Sequence, residues 1–549
     1  MLDWLSNRSH KTDHPMYCIE EAERLLTGVS DEPLKALEEI ASWLTTLTQA
    51  AGFHPAVRLA VIKLVDEAGQ PFEPELTLRY LKPRAHTEFE RRQLWDAALQ
   101  YWERLAQAYR LCIDSMRPKG GLPRAPAADV ALMIVRTLRA LGAQARLLHL
   151  RYVPVRDEWW QTLFDLYALS EAAGCDTQRV TAYPGDALQT SARQELLRAM
   201  LLETARPDSM LARHTDLAAR VAARYADACL FDSKPRDACN WAFDLALPRP
   251  PELATQVTLG PPTVRYYGAG AVTTKLREVV RRLTAEPHAR ELRFGEEYST
   301  ADKLFILQRL VHYWGERPPQ PIEKRAGVDA EIEVALGLAS AYLRIPRVQY
   351  RDWHALIASL DLKLLERLGI TAEPIPLPAL EKWTQRDVST WGMSAVATRT
   401  SEAELTIGTL CTLKTSDAPW WVGAVRRLFR DGEGRAQAGI EVLAKKPVTL
   451  LLRRVGHGGL SVQNWSSAAE ASGSDYVNVL LLAGSRAEKE RHEMLIGRGE
   501  FIAGIVYEAM IGEAKQHFKF EELLEQGVDF DRVRFTRISR TSDPAPTTP

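Results

Sequence analysis

The sequence predicts a multidomain chain of α plus β class: an α-helical N-terminal array, then an antiparallel β-barrel carrying a helical insertion, then a further β-rich C-terminal segment. Three observations lead there. Apolar residues recur every three or four positions through residues 1–226, the period of a half-buried helix. A cluster at Pro248, Pro250, Pro251, Pro261 and Pro262 follows, where no helix continues. Beyond Ala326 the period falls to two, in short segments separated by turn residues, as in the strands of a small barrel. With 549 residues the chain is too long for one core, so domain boundaries are expected.

In the helical array the clearest segment starts at Thr87 with Glu90 three residues on, a capping box that satisfies the free amides of a helix start. Leu94, Ala98, Trp102, Leu105, Tyr109 and Cys112 then form its apolar face. Leu34–Gln49, His54–Leu64, Asp129–Leu141, Trp159–Ala173 and Ala192–Leu202 follow the same rule, without a fixed repeat length. Residues 227–298 read as a connecting region, with a strand at Thr263–Tyr267 and a helix from about Leu276. Residues 299–455 are assigned to the barrel domain. A helix capped by Ser299 and Asp302 leads into it, with Leu304, Leu307, Val311 and Trp314 on one face.

The barrel strands begin at Glu331–Leu336, whose side chains alternate polar and apolar. His354–Leu368 reads as the helical insertion. Ser394–Thr398, Leu410–Leu413, Trp420–Phe429, Gln437–Leu443 and Val448–Arg453 supply the remaining strands. Residues 456–540 form the β-rich segment, and 541–549, rich in Thr and Pro, a disordered tail.

Composition narrows the function. Seventy basic against 71 acidic residues give a net charge of −1, so no overall field recruits a nucleic-acid polymer or an anionic membrane. The most apolar long stretch, Val130–Leu150, contains Arg136, Arg139 and Arg146, each costly at the centre of a bilayer, so it reads as a soluble helix and not as a membrane span. Met1 to Arg8 lack an apolar core of signal-peptide length. Together with six cysteines free of any Cys-x-x-Cys spacing, this predicts a cytoplasmic protein with free thiols.

Chemistry-bearing patterns are sparse. The twelve histidines fall into no ligand spacing, so neither a metal nor another cofactor is expected. No Walker sequence and no Gly-x-Ser-x-Gly elbow occurs, and the chain is not expected to be an enzyme. Asp529 and Asp531 are read as an exposed strand face, and the pairs Trp159-Trp160 and Trp420-Trp421 as packing residues.

One stretch stands out, Arg386-Asp387-Val388-Ser389-Thr390-Trp391-Gly392, in which Asp387, Ser389 and Gly392 spell D-x-S-x-x-G. On an extended chain, Asp387 and Ser389 at i and i+2 point to one side. A carboxylate that accepts hydrogen bonds beside a hydroxyl that gives or takes one suits the N–H-rich edge of guanine. Gly408-Thr409-Leu410, Val422–Leu428 and Gln437–Leu443 follow at the order and rough spacing of PilZ domains. The region from about Arg317 to Leu443 therefore resembles a PilZ domain.

That resemblance implies a six-stranded barrel of bacterial origin and, as ligand, cyclic di-GMP. In such domains an R-x-x-x-R segment before the first strand grips phosphate and guanine, and D/N-x-S-x-x-G contacts a guanine. Asp387, Ser389 and Gly392 match the second motif. Arg325 matches the second arginine of the first, but four residues earlier stands Pro321. Arg317, Lys324, Arg386 and Arg427 are the cations placed to compensate, and a literal R-x-x-x-R occurs at Arg347 and Arg351. The candidate ligand-binding set is Arg325, Asp387, Ser389, Gly392, Arg386 and Arg317. The implied function is an effector that passes the messenger signal to a protein partner by a change of conformation. The alternative is an adaptor for a motility, pilus or polysaccharide machine whose barrel has lost its ligand.

Overall fold

The computed structural model describes residues 12–538 except 83–85, 119–120, 258–260, 287–293, 321–324, 346–379, 399–404, 416–418, 432–433, 456–475, 484–491 and 512–513. The chain divides into two units, Met1–Gln320 and Pro321–Pro549. The reading of His354–Leu368 as an inserted helix, the pair Arg347 and Arg351, and the tail 541–549 lie outside the described residues.

The first unit is built on α1 (Ile19–Leu26), α2 (Pro33–Gln49), α3 (Pro55–Gly69), α4 (Phe72–Leu81), α5 (Glu88–Ser115), α6 (Ala127–Leu150), α7 (Asp157–Ala172), α8 (Ala192–Thr204) and α9 (Ala212–Tyr225). A small sheet of β1 (Leu230–Asp232), β2 (Trp241–Asp244), β3 (Glu252–Leu253) and β4 (Val264–Gly268) follows, in the order β1-β4-β2-β3. Helices α10 (Gly270–Ala285) and α11 (Thr300–Tyr313) complete it. Both capping boxes read from sequence are formed, Thr87 with Glu90 at α5 and Ser299 with Asp302 at α11. Trp159 and Trp160 are buried, as expected.

The arginines of α6 have found carboxylates. Arg136, 2% exposed, donates to Asp66 on α3 at 3.1 Å and to Tyr109 on α5 at 2.8 Å. Arg139 meets Glu195 of α8 at 2.9 Å, and Arg146 bridges Glu73 of α4 and Asp216 of α9. A buried guanidinium is tolerable only when paired in this way, so each arginine fixes which helices are neighbours. Burial pushes the Asp66 carboxyl up, against the opposing pull of Arg136 and the tyrosine hydroxyls.

The second unit contains two closed six-stranded barrels. The first is formed by β5 (Ala326–Leu336), β6 (Glu381–Val388), β7 (Gly392–Ala397), β8 (Leu410–Lys414), β9 (Trp421–Arg430) and β10 (Ala436–Ala444), with the short helix α12 (Leu338–Arg344) after β5. Its ring runs β5-β6-β7-β10-β9-β8 and closes between β8 and β5. The second is formed by β11 (Val448–Arg454), β12 (Tyr476–Leu481), β13 (His492–Gly497), β14 (Val506–Ile511), β15 (Ala514–Gln526) and β16 (Phe530–Ile538). Its ring, β11-β12-β13-β16-β15-β14, repeats the order of the first strand for strand.

Two expectations need correction. Val448–Arg453, expected as the last strand of the first barrel, opens the second, because both its partners, β12 and β14, belong to that ring and the first is already closed. Asp529 and Asp531 do not form an exposed face. Asp531 is 1% exposed and accepts the Gly499 amide at 2.8 Å, while Asp529 accepts the Leu338 amide at the start of α12.

Candidate functional site

The candidate site lies on the outer surface of the first barrel, where β5, β6 and β7 run side by side. Inward residues fill the barrel: Ile332 and Val334 from β5, Trp383 from β6, Met393 and Ala395 from β7, all at most 1% exposed. The pairing of β6 with β7 shifts between Gln385 and Asp387, which leaves Arg386 as an extra residue. Such a bulge re-aims the side chain that follows it. Gln385 is buried, whereas Asp387 emerges on the outer face, where its Oδ2 accepts the Ser394 hydroxyl at 2.7 Å.

Arg325 stands immediately before β5, and Ala326 pairs with Val388. Its Nη1 donates to Asp387 Oδ1 at 2.9 Å, with side-chain exposures of 42% and 26%. The arginine and the carboxylate that the sequence put in separate motifs, 62 positions apart, are thus one ion pair. Ser389 is placed differently from the sequence reading. It lies in the turn after β6, its amide donating to the Gly392 carbonyl at 2.7 Å and its hydroxyl 3.4 Å from that same oxygen.

Gly392 opens β7 at the foot of this turn. A Cβ there would stand 3.3 Å from Ser389 Oγ and 3.8 Å from Arg325 Nη2. The glycine therefore keeps a small floor open beneath the guanidinium and beside the serine hydroxyl. Arg386, exposed, turns away to Asp329 at 3.1 Å. Arg317 is exposed and lies beyond α11 in the helical unit.

Arg325, Asp387, Ser389 and Gly392, together with Ser394, thus form a single patch with a cation, two hydroxyls, a carboxylate and a glycine floor. It offers what a phosphate and the N–H edge of a purine need: a forked donor for the first and a carboxylate acceptor for the second. Sequence reading missed Ser394 as a member. Its signal was present, a lone hydroxyl between Met393 and Ala395, but only the β6 to β7 register shows that it stands opposite Asp387. Among the described residues no group of three or more His, Cys, Asp or Glu is placed to hold a metal ion, and no helix is long and apolar enough to cross a membrane.

No curated protein matches the chain. A family model described as "Cyclic-di-GMP receptor FimW, N-terminal domain" matches residues 24–236, which run from within α1 past β1. Over that helical stretch, under half of its length, the chain is similar to the N-terminal domain of a cyclic di-GMP receptor.

Proposed function

We propose that the protein is a bacterial cytoplasmic signalling effector whose first barrel, PilZ-like in strand count and motif, binds cyclic di-GMP and relays its presence to a protein partner. The observation that carries this reading is the Arg325–Asp387 pair standing over the Ser389–Gly392 turn on the outside of a closed six-stranded barrel. The similarity of residues 24–236 to a domain of a cyclic di-GMP receptor supports the same ligand from an independent part of the chain.

The mechanism is differential binding. Arg325 leads into the first strand, so a ligand phosphate that draws its guanidinium off Asp387 frees the carboxylate for a guanine edge and moves the segment that enters the barrel. Whatever free energy separates the two arrangements sets the size of the signal. No bond is made or broken, and the protein acts as a receptor and not as an enzyme.

Titration calorimetry of the full chain with cyclic di-GMP tests the reading. Saturable binding is expected. Asp387→Ala and Arg325→Ala should each weaken it about tenfold or more, since loss of a charged hydrogen-bonding partner commonly costs over 1.4 kcal/mol. The adaptor reading draws on a different observation: both Asp387 oxygens are already hydrogen-bonded, to Arg325 and Ser394. Absence of heat at high ligand concentration would favour that reading.

A further inference from the structure

A cyclic dinucleotide carries two phosphodiester anions, and the segment before β5 supplies Arg325 but has Pro321 where a second arginine would stand. The barrel surface supplies another cation. Asp387 pairs with Ser394, Ser394 with Gly439, and Gly439 with Arg427, so these four residues form one transverse row across β6, β7, β10 and β9. At about 4.8 Å per strand, Asp387 and Arg427 are separated by roughly three strand spacings along the barrel wall.

Two details give Arg427 its place in that row. The β9 to β10 register jumps from Arg427–Gly439 to Val425–Ile440, leaving Arg426 as the extra residue of a bulge. Val425 and Leu428 are fully buried, while the two arginines between them are half-exposed. Strict alternation would send one of the two inward, and the bulge lets both face out. Secondly, Gly439 has no side chain to separate Arg427 from Ser394. A Cβ on it would stand 3.1, 3.7 and 3.8 Å from Cβ, Cγ and Cδ of Arg427, whose stem therefore lies across the glycine. The guanidinium carbon rests 5.3 Å from the centre of the Phe429 ring.

Building on the cyclic di-GMP reading, we infer that Arg427 is the second phosphate-binding arginine of this site, taking the place of the cation absent at Pro321. Arg325 and Arg427 then stand on opposite sides of Asp387 and Ser394, and Gly439 is the gap over which the ligand reaches from one to the other. An arginine suits the role because its planar fork makes two parallel hydrogen bonds to a phosphate and it keeps its charge at any working pH. A rotation about its side-chain torsions would carry it from Phe429 toward the row.

The experiment is calorimetry with cyclic di-GMP on the full chain, comparing wild type with Arg427→Met, Arg427→Lys, Gly439→Val and Asp387→Ala. Arg427→Met keeps the aliphatic stem over Gly439, so its thermal midpoint should match wild type while its affinity falls about tenfold. Arg427→Lys should recover part of that loss, and Gly439→Val, which fills the gap, should weaken binding without removing a charge. The salt dependence of binding should be shallower in Arg427→Met than in wild type, since one fewer cation meets the ligand. Arg427→Met binding as tightly as wild type while Asp387→Ala binds weakly would overturn the role of Arg427 and leave the receptor reading standing. No binding by wild type itself would overturn both.

Discussion

The two barrels of the C-terminal unit share a strand order and differ in what they do with the same surface. In the first, the outer face of the second and third strands, β6 and β7, presents Asp387 and Ser394 with Arg325 beside them. In the second, the corresponding strands are β12 and β13, and their outward positions hold Leu480 and Leu495, both fully buried. These leucines join Phe530 of β16, Leu338 and Ala341 of α12, and Leu410, Val422 and Ala424 on the outer side of the first barrel in one apolar cluster. The second barrel keeps a separate interior of Val479, Met494, Ile496, Phe518, Phe520 and Phe535. It is therefore apolar on two sides of its wall, and the face that carries the candidate site in one copy is the face by which the other attaches. A shared topology thus does not transfer the site: the chemistry is set by which outward residues each strand carries.

Breaking that attachment should give the largest effect on stability. Phe530 is fully buried in the shared cluster, so Phe530→Ala should cost roughly 3 to 5 kcal/mol in chemical denaturation. Thr384→Ala on the open wall of β6 should cost less than about 0.5 kcal/mol. Similar losses at the two positions would mean that the barrels do not depend on a common seam.

A polar clamp reinforces the seam. Arg426 donates through Nε to Glu441 of its own barrel at 2.7 Å and engages Glu525 of the second barrel with both terminal nitrogens, one at 2.7 Å. Glu525 is also within 3.7 Å of Arg532, which binds Glu493. Burial alone would raise the Glu525 carboxyl, but the hydrogen bonds and charge of Arg426, with Arg532, outweigh it and hold it below its ordinary value. Full burial would make removal of one partner cost roughly 3 to 5 kcal/mol; with exposures of 31% and 23%, Arg426→Ala should cost about 2 kcal/mol.

The same pair gives a pH signature with a definite sign. A carboxyl whose folded-state pKa is depressed contributes stability above its unfolded value of 4.5 and loses it as pH falls through the lower folded value. The stability gap between wild type and Glu525→Gln should therefore be constant from neutral pH to about 5 and shrink only in more acid solution. A gap that shrinks near neutrality would show that another group controls the clamp.

Much of this architecture is legible in the sequence because it rests on local rules. Capping at Thr87 and Ser299 needs residues three apart, and the apolar face of α5 needs spacings of three and four. Three arginines in an apolar stretch are enough to argue against a membrane span, although the buried carboxylates they meet lie 56 to 73 positions away. What is not legible depends on long-range register. Nothing local marks the passage from one barrel to the next, because Lys445-Lys446-Pro447 is a short connection like any other. In both rings the fourth strand pairs with the first, across the two strands that lie between them in sequence, and closure of the second ring cannot be read from spacing. Asp529 and Asp531 look solvent-exposed until the turn and helix start they hold are brought to them. Arg426 and Arg427 look like a breach of alternation until the bulge between β9 and β10 is known. At the site, the motif residues are plain in sequence, but the extended reading of Asp387 and Ser389 fails because β6 ends at Val388 and the serine belongs to the turn.

That displacement of Ser389 leads to the smallest predicted effect on stability and a sharp one on function. Its hydroxyl sits 3.4 Å from the Gly392 carbonyl, beyond a good O–H···O distance, while the turn is already closed by the Ser389 amide at 2.7 Å. Ser389→Ala should therefore change the unfolding free energy by less than about 0.5 kcal/mol. The hydroxyl is half-exposed beside the floor left by Gly392 and under the reach of Arg325, where a ligand would find it. If it serves the ligand, Ser389→Ala lowers affinity for cyclic di-GMP about three- to tenfold, the worth of one neutral hydrogen bond. Unchanged affinity would assign Ser389 to the turn alone and leave Asp387 as the motif's contact, whereas a large loss of stability would mean that the long hydroxyl contact, and not the amide, holds the turn.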